Sequence, residues 1–331
     1  MTDYMLSEKD RQILEKLQNF IPDKVFDAHA HLHDLWHVPE GSNLFSDYGT
    51  ADAKRFLQAQ AALYGNRKVR GLLLPTPTAR LGAQRELRDP INQWMAEQLK
   101  DAPDCVGAVY VMPGDTEDQI EAMLVNPQIR GFKCYHLTAN CQGRTFDAGI
   151  QEYLPESAWV VANRRHMTIT LHMVKDAALA DPENMAYIKT MTAKYPNAVL
   201  ILAHCGRGFA SWTAIEKVRE LKGIPNIYYD MAAVCDPATM YEVIRQAGTD
   251  KVLWGSDYCI DRAKARPVNC ADGFEWLYRH LLPDEVVFPV ASTCVESLFA
   301  FYQACLMLDA TRQDIEDIFY NNAIRLFGLE P

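Results

Sequence analysis

The sequence has no run of about 18 apolar residues, no block rich in lysine and arginine, and no cysteine pair spaced as CxxC. The first absence excludes a helical membrane span. The opening MTDYMLSEKDRQ also lacks the basic start and apolar centre of a secretion signal, so a cytoplasmic protein is expected. The second absence, with a net charge of -10, removes the electrostatic footprint that nucleic acid requires. The third leaves nine scattered cysteines, several inside apolar runs, which read as small reduced hydrophobes and not as staples. Cys205 and Cys259 neighbour polar residues of interest, yet adjacency on a strand puts them on the opposite face, and packing is their expected role. No linker rich in proline, glycine or serine divides the 331 residues, and 49% of them are hydrophobic, so residues 1–331 are read as one domain with a sizeable core.

What is present is a rhythm of short apolar runs alternating with amphipathic stretches. Eight runs read as strands: 25–32, 69–77, 105–113, 129–136, 167–174, 198–206, 227–234 and 252–259. Helical patterns such as TEDQIEAMLVN and PATMYEVIRQAG lie between them. Right-handed strand–helix–strand crossovers, with strands apolar on both faces, predict an α/β fold of the (β/α)8 TIM-barrel type. No GxGxxG turn follows any strand, which counts against a doubly wound open sheet. An N-terminal helix is expected within residues 1–24, started by Ser7 with Asp10 and stopped at Pro22. A long lid-like excursion spans 34–68, and residues 272–331 read as an added helical layer whose last helix stops at Gly328. That layer offers Phe299, Phe301, Tyr302 and Leu306 either to inner packing or to a second copy in a homo-oligomer.

The stretch VFDAHAHLHD (25–34) carries the chemistry. In an extended chain Asp27, His29 and His31 share one face, while Phe26, Ala28, Ala30 and Leu32 share the other. His172, His204 and Asp257 close the fifth, sixth and eighth runs, and a barrel gathers strand ends around one mouth. Singly, His172 reads equally well as a core hydrogen bonder and Asp257 as a cap. Together, imidazoles and a carboxylate at matching strand ends make a donor set for a borderline divalent ion, zinc foremost, with manganese or iron as alternatives. His33, His37, His166 and His280 are treated as background.

HxH on the first strand, histidines on the fifth and sixth and aspartate on the eighth resemble the amidohydrolase superfamily. The closing NNAIRLFGL is similar to the terminal helix of its amidohydrolase-2 branch, and the likeness spans residues 25–329. That branch includes lactonases such as pyrone-dicarboxylate lactonase and nonhydrolytic members such as aminocarboxymuconate-semialdehyde decarboxylase and resorcylate decarboxylase. The resemblance implies that His29, His31, His172 and Asp257 hold one metal ion, with His204 beside it as a polarising or proton-transferring group. Such an ion brings the pKa of its water from about 15.7 toward about 7, and Asp257 can take the proton and return it to a leaving group. Some members carry a strand-four lysine that becomes a carbamate bridging two metals. Lys133 in RGFKCYH is therefore either that bridge, a contact to a substrate carboxylate or an ion pair at the mouth, and the aspartate-and-histidine layout favours a single ion. Arg207 in HCGRG is a candidate clamp for an anionic substrate or else a loop charge, and Trp36, Tyr135, His136 and Tyr258 are candidate pocket walls or packing. The expected activity is a metal-dependent hydrolase acting on a carbonyl or lactone centre of a small carboxylated molecule. The alternatives are a metal-dependent decarboxylase using the same site, and a barrel without chemistry that serves as a binding or scaffold protein.

Overall fold

In the computed structural model, which describes residues 6–42, 49–283, 285 and 290–331, the apolar runs form β1 (Lys24–Leu32), β2 (Lys68–Pro75), β3 (Val106–Tyr110), β4 (Ile129–Cys134), β5 (Thr168–Leu171), β6 (Val199–Leu202), β7 (Ile227–Asp230) and β8 (Val252–Leu253). Each pairs in parallel with the next, so spatial order follows chain order. The seam between first and last strands is closed by backbone bonds: Ala28 N–H donates to Trp254 O (2.8 Å), Asp257 N–H to His29 O (2.9 Å) and His31 N–H to Tyr258 O. The result is a (β/α)8 barrel.

Helices wrap the outside, and several are started by a side-chain cap. Asp52 opens the Ala53–Tyr64 helix, Thr116 the Glu117–Met123 helix through a capping box, and Asp181 the Pro182–Lys194 helix with proline in its first turn. The N-terminal helix, Glu8–Leu17, begins with the expected Ser7–Asp10 capping box. Asp10 is buried and also accepts from Ser292 N–H (2.7 Å), which ties this helix to the start of the Thr293–Met307 helix. Among the described residues no helix is long and apolar enough to cross a membrane.

Two cores result. The larger lies between strands and helices. The smaller fills one end of the barrel, where Phe26, Ala28, Leu72, Leu74, Val106, Ala108, Ile201 and Leu253 meet Tyr320, Ala323, Ile324 and Phe327 of the final turns. This apolar plug confines polar chemistry to the opposite end, where the strands finish.

Three readings from the sequence need correction. First, Asp27 does not share a face with His29 and His31. Asp27 pairs with Gly71 but Ala30 with Leu73, so β1 carries one extra residue, a bulge that reverses the alternation. Phe26 and Ala28 therefore enter the barrel plug, whereas Asp27 accepts from Gln60 Nε2 of the outer Ala53–Tyr64 helix (3.0 Å) and from Ser256 Oγ (2.5 Å). Second, the excursion at 34–68 contributes a helix to the outer ring. That helix, Ala53–Tyr64, packs on β1 and β2, and residues 43–48 lie outside the described residues. Third, the added C-terminal layer begins with an antiparallel hairpin, β9 (Ala265–Cys270) and β10 (Gly273–Tyr278). Phe274, Trp276 and Tyr278 alternate with Glu275 and Leu277, a period of two, and Ala271 turns the chain at φ 53°. Helices follow as expected to Phe327, and Gly328 ends the last at φ 61°.

Candidate metal centre

The apolar runs at β6 and β8 continue past the last sheet residue, and the chain leaves the sheet before the polar residues arrive. β6 stops at Leu202, after which His204, Cys205 and Gly206 take left-handed angles (φ 56°, 55° and 71°) and Arg207 follows at φ 59°. Asp257 lies beyond Leu253 at φ 66°. A left-handed non-glycine residue costs about 1–2 kcal/mol, so packing must hold these side chains where they are.

His29 and His31, both turned inward by the bulge, bring their Nε2 atoms to 3.0 Å. Asp257 Oδ1 lies 3.5 Å from the first and 3.6 Å from the second. The two longer edges exceed hydrogen-bonding distance, and the triangle has a circumradius of about 2.0 Å, the length of a zinc–nitrogen or zinc–carboxylate bond. All three residues are buried.

Protonation agrees with this geometry. His29 Nδ1 lies 2.9 Å from Asp230 Oδ2; a carboxylate accepts, so Nδ1 carries the hydrogen and Nε2 presents its lone pair. His204 Nδ1 likewise donates to Ala232 O (2.8 Å), leaving its Nε2 unprotonated. Burial pushes His29, His31 and His172 well below the ordinary imidazole range and His204 down to about 3, so all four are neutral donors. Although His29 and Asp230 are an ion pair by distance, the contact is a hydrogen bond from a neutral ring, because burial disfavours charge on the imidazole. Burial, with Asp230 and Asp261 nearby, raises Asp257 well above the usual carboxylate range. Neutral imidazoles around a buried carboxylate are the surroundings that a divalent cation completes.

Asp230 organises the group, and the sequence reading missed it. Its Oδ2 fixes His29, while its Oδ1 accepts from the backbone N–H of His204 (2.9 Å) and Ala232 (3.2 Å). It ends β7 in IYYD, so the strand-end rule that picked out the other ligands would have found it. A second donor grouping joins His29, His204 and Asp230.

His172 belongs to neither grouping among the described residues. Its ring packs against His204 (centroids 4.9 Å) and Tyr135 (4.8 Å), and from Tyr135 the aromatic contacts continue through His136 to Phe146, which is half exposed. Lys133, fully buried on β4, has no hydrogen-bond partner for Nζ and no ion pair among the described residues; it lies 5.9 Å from the Tyr135 ring centroid. Its charge acts on all four histidines, and burial lowers its own pKa despite Asp230 and Asp257. Arg207 is buried, with its guanidinium over the Phe274 ring at 5.2 Å. Trp36 packs on the cluster of Leu81, Ile91 and Tyr110, as does Tyr135. Tyr258 is not brought to this group: its ring packs edge-on against Phe56 of the outer helix (5.5 Å). Of the background histidines, His33 is buried and bonded to Thr76 Oγ1 (3.2 Å) and Gly49 O (2.9 Å), and His37 is packed between Trp36 and Trp94.

Residues 26–329 match the sequence profile of the amidohydrolase family. No curated protein matches the chain. Solved structures with a similar fold include a protein described as a 2-pyrone-4,6-dicarboxylic acid hydrolase from Pseudomonas putida, 14% identical with a TM-score of 0.57 over 94% of this chain and 100% of that one. They also include the 5-carboxyvanillate decarboxylase of Sphingomonas paucimobilis, 14% identical with a TM-score of 0.52 over 93% and 100%. A 2,6-dihydroxybenzoate decarboxylase from Rhizobium is 13% identical with a TM-score of 0.52 over 93% and 99%.

Proposed function

We propose that this chain, which belongs to the amidohydrolase family in its amidohydrolase-2 branch, is a cytoplasmic metal-dependent hydrolase acting on a carbonyl or lactone centre of a small carboxylated substrate. The observation that carries the reading is the triangle of His29 Nε2, His31 Nε2 and Asp257 Oδ1, whose edges of 3.0, 3.5 and 3.6 Å surround a point suited to one ion. In this reading those three residues hold a single divalent ion, zinc foremost, and His172, one ring removed beyond His204, is the fourth donor. When bound, such an ion supplies Lewis acidity to a carbonyl oxygen and lowers the pKa of water from about 15.7 toward about 7.

The chain's own residues supply the rest. Asp257 is the proton carrier: its carboxylate takes a proton at one step and returns it to the leaving oxygen at the next. His204 works through Nε2, the nitrogen left unprotonated by the bond to Ala232 O, so it accepts a proton and does not begin as a donor. Arg207 offers its guanidinium to the substrate's carboxylate, and Lys133 adds positive charge within the barrel. In this reading Trp36 and Tyr135 form an aromatic wall for the substrate, Tyr135 through its contact with His172.

The decarboxylases among the similar structures support a second reading, in which Asp257 or His204 delivers a proton to carbon as carbon dioxide leaves. One experiment separates the two. The protein is loaded with zinc, its metal content measured, and lactones and aromatic acids are offered in water enriched in heavy oxygen. Incorporation of the label into product is the expected result. Release of carbon dioxide without incorporation assigns the lyase reading, and failure to retain stoichiometric metal overturns both.

A further inference from the structure

Arg207 is held in an unusual way for a buried guanidinium. It is 8% exposed and its Nη1 has no hydrogen-bond partner among the described residues. The carboxylate in reach, Asp176, is 3.9 Å away and wholly exposed, too distant for a hydrogen bond and too well solvated to hold a buried cation. What covers the guanidinium instead is the Phe274 ring.

That choice of partner matters chemically. A carboxylate would hold Arg207 by occupying the in-plane N–H groups of its fork. A ring face attracts the cation through the aromatic quadrupole and leaves those in-plane donors open. The guanidinium is thus both fixed and unspent. It stands near the metal centre, because its charge acts on His172, His136 and Tyr135.

Phe274 is itself rigidly placed. It is the second residue of β10, in a hairpin that the barrel does not need for closure. Trp212 Nε1 donates to Asp272 O (2.6 Å), Ser211 N–H to Asn269 Oδ1 (2.7 Å), and Arg266 Nη2 to Cys235 O (2.9 Å), which pins the hairpin to the segments after β6 and β7. From the hairpin, Phe274 and Trp276 pack on Phe209 (5.2 and 5.5 Å), and Phe209 packs on His204 (5.1 Å). One inserted element therefore reaches both the clamp and the ring beside the metal donors.

We infer that Phe274 is a specificity-determining positioning residue, whose ring face presents the open donors of Arg207 to a substrate carboxylate. This rests on the reading of Arg207 as the carboxylate clamp, and the test distinguishes the two. Benzoate and its neutral isostere benzamide are titrated calorimetrically into the zinc-loaded full chain. The native protein prefers benzoate, and Arg207→Ala erases that preference. Phe274→Leu, which keeps apolar bulk against Phe209 but removes the ring face, weakens benzoate by about tenfold and leaves benzamide unchanged. Phe274→Tyr, which restores a ring, restores the preference. If the native protein does not prefer benzoate, the clamp reading fails and this inference with it. If Arg207→Ala erases the preference but Phe274→Leu does not, or if Phe274→Leu weakens both ligands equally, the role of Phe274 alone is overturned.

Discussion

Replacing Asp230 by Asn is the sharpest perturbation of the centre, because it exchanges one atom and replaces no proposed ligand to the ion. The Asp230 carboxylate accepts three hydrogen bonds, from His29 Nδ1 at one oxygen and from the backbone N–H groups of His204 and Ala232 at the other. An amide has a single acceptor oxygen. If that oxygen keeps the two backbone donors, the amide nitrogen confronts His29 Nδ1, and the ring must move its hydrogen to Nε2, where the lone pair for the ion should be. If the amide turns over, its nitrogen confronts two backbone donors instead. Either way a charge-assisted hydrogen bond is lost in the metal-ready state, about 1.5–3 kcal/mol, which corresponds to roughly tenfold to hundredfold weaker metal binding. The apo fold should suffer little, since burial already strains the Asp230 carboxylate toward its neutral form. The assay is zinc affinity by competition with a chromophoric chelator, paired with apo and holo melting temperatures. Unchanged zinc affinity in a folded Asp230→Asn protein would refute the tautomer argument and with it the donor set.

Asp257→Asn should abolish turnover while leaving the circular dichroism of the protein unchanged, because it removes the proposed proton carrier and weakens one vertex of the triangle; near-normal rates would remove Asp257 from that role. Gly255→Ala would place a Cβ 2.9 Å from His29 Cβ and 3.3 Å from Ala232 Cβ. Overpacking of this kind costs about 1–3 kcal/mol, so both the melting temperature and zinc occupancy should fall, and full occupancy would show that His29 has room to retreat. His37 is buried between two tryptophans, and burial lowers it from 6.5 to about 3. Its folded form resists protonation that the unfolded chain accepts, so the stability it lends is present above pH 6.5 and is lost as pH falls toward 3. A His37→Phe variant should lose less melting temperature over that interval than the parent, and parallel profiles would show that His37 is not the group titrating.

The fold was legible because each strand is a short apolar run bounded by a helical pattern, and His29, His31, His204 and Asp257 were legible because they interrupt such runs near their ends. What stayed hidden has local physical causes. The bulge between Asp27 and Ala30 is set by pairing with β2, which no periodicity within β1 reveals, so Asp27 was put on the wrong face. The left-handed turn carrying His204 is marked in the sequence only by Gly206, while Cys205 and Arg207 give no sign of the angles they adopt. The hairpin at Ala265–Tyr278 is written in its alternating aromatics, a period of two that the helical patterns following it mask. Asp230 ends β7 much as the other candidates end their strands, but its part in fixing the His29 tautomer is nothing that sequence displays.

The seam that completes the barrel runs through His29, His31, Asp257 and Tyr258, and three of those four are the proposed donors. During synthesis, the first two imidazoles emerge early and stay without their carboxylate until β8 and the residues after it have left the ribosome. A partly made chain of this protein therefore lacks both the hoop and the proposed donor set, and both arrive in the same moment.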